Sequence, residues 1–152
     1  MGTLPLPLNV QLLNGGEKGR LLTEFMYHVP DGRSVLVPAG FETDFASVRP
    51  LRNIAVGLLV LSLVLGWFLP VLGALVGTAG YGALALYSSV VGYGHSAATI
   101  HDYLYATGEL SRKLSDQVFY NALRTCGVAR WRAWLMYAGV RLGGYWRYNA
   151  KE

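Results

Sequence analysis

The chain has 152 residues, 53% hydrophobic and only 14% charged, a small charged share for a soluble domain, and its length admits one domain or one domain with an appendage. Its 13 Lys and Arg against 9 Asp and Glu leave a formal charge of +4, a mild basic excess that suits an anionic membrane surface as well as nucleic acid and alone decides neither. A single cysteine, Cys126, excludes an internal disulfide and makes a reducing compartment the default.

The opening "MGTLPLPLNV" has no basic segment leading into a continuous apolar run, so no secretory signal is expected. A short strand is expected near residues 10–13, with Gly15-Gly16 as the turn after it. "RLLTEFMYHV" and "RSVLVPAG" are rich in β-formers and separated by Pro30-Asp31-Gly32, which reads as a β-hairpin. Together these segments predict a small antiparallel β-meander, with His28 a structural residue in one strand.

Residues 54–94 then run without one charged side chain. A membrane span needs roughly 20 residues, so the run is long enough for two. Pro70 and Gly73 fall where a hairpin would turn, although Pro70 would equally kink one longer helix. The glycines and alanines allow close helix contact, and Trp67, Tyr81, Tyr87 and Tyr93 suit the interfaces. The alternative is a core hairpin buried in a soluble or assembled protein. If Asp44 before the run and His101 after it share a domain, both ends lie on one side of a membrane, which requires two spans. Arg49 and Arg52 before the run, with Arg112 and Lys113 beyond it, favour cytoplasmic termini. The expected organisation is an α+β domain whose β-rich half is 1–53 and helical half 95–152, with the apolar hairpin 54–94 inserted.

After the insert the periodicity turns helical. Residues 97–105 predict a short helix stopped by Thr107-Gly108. Ser111 is the expected N-cap of a second, with Leu114, Val118, Phe119, Ala122 and Leu123 on one face and Gly127 closing it. Residues 129–142 predict a third, carrying Trp131, Trp134, Leu135 and Ala138 and stopped by Gly143-Gly144.

The polar residues of the first two helices carry the chemistry. His101 and Asp116 lie almost equally far from the turn joining them, so an antiparallel pair brings them within hydrogen-bond reach. A carboxylate on one imidazole nitrogen fixes the tautomer and leaves the other free to take a proton near neutral pH. Asp102 points about 100° further round the helix. There it is available to a hard cation such as calcium, together with loop carbonyls. The competing reading makes these residues a brace: Thr43, Asp44, Ser47 and His101 form a buried hydrogen-bond network, with Asp44 capping a helix that starts at Ala46-Ser47. His95, in a Gly-Tyr-Gly-His segment, is expected in a loop or at an interface.

Four separated blocks, "VPAGFETDFASVRP", "AATIHDYLY", "SRKLSDQVFYNAL" and "MYAGVRLGG", stand in an order that resembles a bacteriophage and prophage family, domain-of-unknown-function family 1353 (DUF1353). Members usually join the first two blocks by a short linker, where this chain has its apolar run, and carry a proline where it has Arg49. "HDYLY" with the later aspartate is also similar to the His-Asp-x-x-Tyr helix of phospholipase A2. That resemblance implies His101 as the base that activates water, Asp116 as the acid that holds it and Tyr105 as a buttress of Asp116. It implies calcium as cofactor, held by Asp102 with Asp44 from "GFETDFAS", polarising the ester carbonyl. The His-to-Asp separation is shorter than in those enzymes, no glycine-rich calcium loop precedes the helix at the usual distance, and their disulfides are absent.

Two functions follow as expectations. One is a calcium-assisted ester hydrolase acting on host membrane phospholipid during genome entry or lysis. The other is a non-enzymatic virion or envelope adaptor, with other virion proteins as partners, in which the His/Asp cluster braces the fold. The location expected is the host inner membrane or the virion, and an oligomer is compatible with either. Arg124, Arg130, Arg132, Arg141 and Arg147 interleave with tryptophans, but juxtamembrane basic residues have simpler uses, so no specific nucleic acid is expected. Trp131, Trp134 and Trp146 are either an interfacial platform or core residues beneath a solvated basic face.

Overall fold

Short strands are the first elements of the computed structural model, which describes residues 2–45 and 49–148. The strands are β1 (Val10–Leu13), β2 (Lys18–Leu21), β3 (Phe25–His28), β4 (Ser34–Val37) and β5 (Glu42–Thr43). All pairings are antiparallel: β2 lies between β1 and β5, and β3 pairs with β4, Phe25 opposite Val37 and His28 opposite Ser34. The Pro30-Asp31-Gly32 turn forms as expected, with Gly32 N–H donating to Val29 O at 3.0 Å and Arg33 N–H to Asp31 Oδ1 at 3.1 Å. His28 Nδ1 lies 2.7 Å from Ser34 Oγ across the hairpin.

One expectation is corrected. "RLLTEFMYHV" is not one strand of a continuous meander but two strands in separate sheets. The chain bends over 22–24, where Leu22 is exposed and its N–H bonds Asn9 O, so β2 stays between β1 and β5 while Phe25 and Tyr27 turn into the core.

Five helices follow: α1 (Arg49–Phe68), α2 (Pro70–Val90), α3 (His95–Thr107), α4 (Arg112–Thr125) and α5 (Arg130–Gly143). The chain forms two compact units, Met1–Ala46 with Gly92–Glu152, and Ser47–Val91. In the first, the inward residues of β3 and β4 (Phe25, Tyr27, Val35 and Val37) share one core with Ile100 and Leu104 of α3 and Phe119 and Leu123 of α4. Each such large side chain withdrawn from water contributes roughly 1.5–3 kcal/mol. Gly108 ends α3 at φ 61°, a left-handed turn that costs glycine little. Ser111 occupies the N-cap position of α4, but its side chain makes no capping bond.

The second unit is an antiparallel helix pair. Pro70 starts α2 at the position where its missing N–H costs nothing. Gly73, expected at the turn, lies instead inside α2: a Cβ there would come within 2.5 Å of Gly66 N, so only glycine permits this approach. Gly77 and Gly80 continue the contact onto Ser62 and Leu59. Leu51–Phe68 and Pro70–Val90 are each long and apolar enough to cross a membrane, and only 6% and 17% of their residues are buried, which disfavours a core hairpin.

Candidate functional site

Helical spacing decides which residues of "HDYLY" share a face. His101 and Tyr105, four apart, point from α3 towards α4, while Asp102 is turned towards β5. Asp116 of α4 is fully buried and is the hub of the first group. Its Oδ1 lies 3.0 Å from His101 Nε2 and accepts the Tyr105 hydroxyl at 2.6 Å, while Oδ2 accepts Arg141 Nη1 of α5 at 2.8 Å. Burial pulls the Asp116 pKa upward, but the hydrogen bonds from His101, Tyr105 and Arg141 outweigh it and hold the carboxyl below its ordinary value. Burial, then the bond to Asp116, pushes the Tyr105 phenol well up, so it remains a donor.

An ionised carboxylate only accepts, so Nε2 of neutral His101 carries the ring proton and Nδ1 carries the lone pair. The imidazole is 4% exposed and held between rings, 4.0 Å from Tyr105 and 4.8 Å from Phe119 between centroids. Nδ1 has no hydrogen-bond partner among the described residues.

A second polar group lies on the other side of α3. Thr43 Oγ1 donates to Asp102 Oδ2 at 2.6 Å and itself accepts the Phe45 N–H at 3.0 Å. Burial, reinforced by the neighbouring charge of Asp44, pushes the Asp102 pKa up to about 6, against the opposing pull of Thr43, His101 and Arg147. Asp44 accepts Arg147 Nη2 at 2.8 Å, which ties the turn after α5 to the loop after β5. Ser47, and the helix start that Asp44 was expected to cap, lie outside the described residues.

His101, Asp116 and Tyr105 thus meet, and Thr43, Asp44 and Asp102 form a neighbouring set. Among the described residues no group of three or more His, Cys, Asp or Glu is placed to hold a metal ion. Asp102 and Asp44 are still two hard oxygen donors whose charges repel one another, although burial is the larger cause of the raised Asp102 pKa. Arg147 supplies the positive charge at Asp44 here. A cleft of ≈ 440 Å³ is lined by Leu8, Val10, Leu12, Gly16, Phe45 and His95, away from His101. His95, expected in a loop or at an interface, is the first residue of α3 and stands edge-on to Phe45.

Sequence reasoning missed two participants. Arg141 lies in the "MYAGVRLGG" block, so its position was signalled but not its role; Arg147 carried no signal beyond a basic segment. Every one of the four blocks contributes to the two groups: Thr43 and Asp44, His101 with Asp102 and Tyr105, Asp116, and Arg141. No curated protein and no solved structure matches the chain. Residues 83–140, which carry His101, Asp102, Tyr105 and Asp116, match the family model described as protein of unknown function (DUF1353).

Proposed function

We propose that the protein is a membrane-anchored ester hydrolase of phospholipase A2 type, acting on phospholipid. The carrying observation is that Asp116 Oδ1 accepts hydrogen bonds from both His101 Nε2 and the Tyr105 hydroxyl, leaving Nδ1 of a rigidly held imidazole unspent. In this reading water attacks the ester carbonyl carbon as Nδ1 takes its proton. The same proton is then returned to the departing alkoxide. Asp116, ionised and fully paired, stabilises the transient imidazolium and fixes its orientation. Asp102 and Asp44 would hold calcium, which when bound supplies a Lewis acid for the carbonyl oxygen. Anchorage through α1 and α2 would keep the site beside its substrate and raise the effective concentration. The phage resemblance adds host inner membrane and a role at genome entry or lysis, and the basic residues flanking the apolar run add cytoplasmic termini.

One observation favours a second reading. His101 is almost sealed and Asp116 accepts three donors, as a brace within a virion or envelope adaptor would. The deciding experiment measures fatty acid released from mixed anionic vesicles by the full chain, with and without a calcium chelator, beside His101→Ala and Asp116→Asn. The hydrolase reading expects losses of about 10²–10⁴-fold in both variants with the fold intact. Silence in all three proteins, with both variants melting lower than wild type, would leave the brace.

A further inference from the structure

Helix α5 is apolar on two faces. One packs inward through Ala133, which is fully buried, with Met136 and Val140 against the core. The other presents Trp131, Trp134 and Leu142 to the outside, and the following turn adds Tyr145 and Trp146. Trp146 is 90% exposed and Leu142 87%, so these are not core residues beneath a basic face. An outward cluster of large aromatics on a helix that has already satisfied its core requires a partner.

The charge of this segment names the partner's chemistry. Between Asp116 and Glu152 the sequence has no acidic residue, while Arg124, Arg130, Arg132, Arg141 and Arg147 all fall there. Arg130 is exposed, and Arg132 lies over the rings of Tyr93, at 3.8 Å, and Trp131, at 4.8 Å. Tyr93 follows the last residue of α2 by three positions, a reach of roughly 10 Å along the chain. A bilayer that holds α2 therefore brings its surface within short reach of the ring on which Arg132 rests. Tryptophan and tyrosine partition to the headgroup level, where arginine meets lipid phosphate.

We propose that the outer face of α5 and the turn after it, centred on Trp131, Trp134 and Trp146 with Arg130, lies on the anionic headgroup layer of the membrane that holds α1 and α2. This surface rests on the membrane reading of those helices, and Trp67 of α1 separates the two. Two variants of the full chain are reconstituted into vesicles, either phosphatidylcholine alone or phosphatidylcholine with phosphatidylglycerol, with brominated lipid as quencher. Trp67→Phe leaves only the α5 reporters, and the triple replacement Trp131→Phe, Trp134→Phe, Trp146→Phe leaves only Trp67. The expected result is quenched, blue-shifted emission from both, with the α5 signal stronger in anionic vesicles and weakened by Arg130→Glu or by high salt. Quenching of Trp67 with water-like, unquenched α5 emission overturns the proposed surface alone. No quenching of either reporter overturns the membrane reading with it. An α5 blue shift that follows protein concentration and ignores lipid charge assigns the face to a second copy of the chain and also overturns the proposal.

Discussion

Asp102 and Asp116 give stability opposite pH dependences. Asp102 has its folded-state pKa raised to about 6, so its contribution is fully present below its unfolded value near 4 and is lost as pH rises through 6. Asp116 is depressed, so its contribution is present above about 4 and lost as pH falls through its lower folded value. Of these two groups only Asp102 acts between pH 5 and 7.5, and its contribution makes wild type melt lower at the higher pH. Asp102→Asn keeps an acceptor for Thr43 without the charge. It should flatten that dependence and gain on the order of 1–2 kcal/mol at pH 7.5, allowing for partial solvent contact. Thermal melting of the detergent-solubilised chain at both pH values tests this, and parallel behaviour of the two proteins would sink it. Much of the site was legible at this scale because helix geometry converts spacing into direction. His101 and Asp116 follow from nearly equal distances to one turn, and Tyr105 from its four-residue offset. Arg141 and Arg147 were not legible, since an arginine that neutralises a buried acid and one that faces solvent look alike in a basic segment.

Elements closed by glycine or proline were the readable ones. Gly108 stops α3, Gly127 follows α4, and Pro70 opens α2, each for a backbone reason that neighbouring side chains do not alter. The split between β2 and β3 was hidden because Leu22-Thr23-Glu24 contains neither residue; tertiary pairing with Asn9 and Phe41 bends the chain there. β5, only Glu42–Thr43, is too short for any periodicity to show. The α1–α2 contact is likewise tertiary, but it makes a sharp prediction. A Cβ at Gly77 would lie 3.4 Å from Ser62 Cβ, close to the separation a disulfide needs, about 3.5–4.5 Å. Ser62→Cys with Gly77→Cys, in a Cys126→Ser background, should crosslink on mild oxidation and give a reductant-sensitive gel shift. Adding Gly73→Ile, which forces a side chain into the Gly66 backbone, should abolish the crosslink. A crosslink indifferent to Gly73→Ile would mean the helices meet elsewhere.

At the scale of the whole molecule, the polar unit is assembled from segments on both sides of the apolar one, Met1–Ala46 and Gly92–Glu152. Thr43 before it and Asp102 after it share a 2.6 Å hydrogen bond, so the chain must leave and return to the same compartment. Any membrane insertion of Ser47–Val91 therefore has an even number of crossings, and the two candidate spans, Leu51–Phe68 and Pro70–Val90, supply it. The sequence already carries this constraint, because an apolar run inserted between two halves of one site leaves no odd solution. It did not show that the helix pair meets at Gly73, Gly77 and Gly80, because that contact depends on backbone approach, which composition only permits. The consequence is a labelling pattern. Cys126 is exposed in the polar unit, and Leu69, 54% exposed, sits at the hairpin tip. In oriented vesicles a membrane-impermeant maleimide should reach Cys126, and a cysteine at exposed position 22 in a Cys126→Ser background (Leu22→Cys), from one face. Leu69→Cys in that background should label only from the other. Labelling of all three positions from one face would show that the helix pair lies on the membrane or within an assembly and does not cross the bilayer.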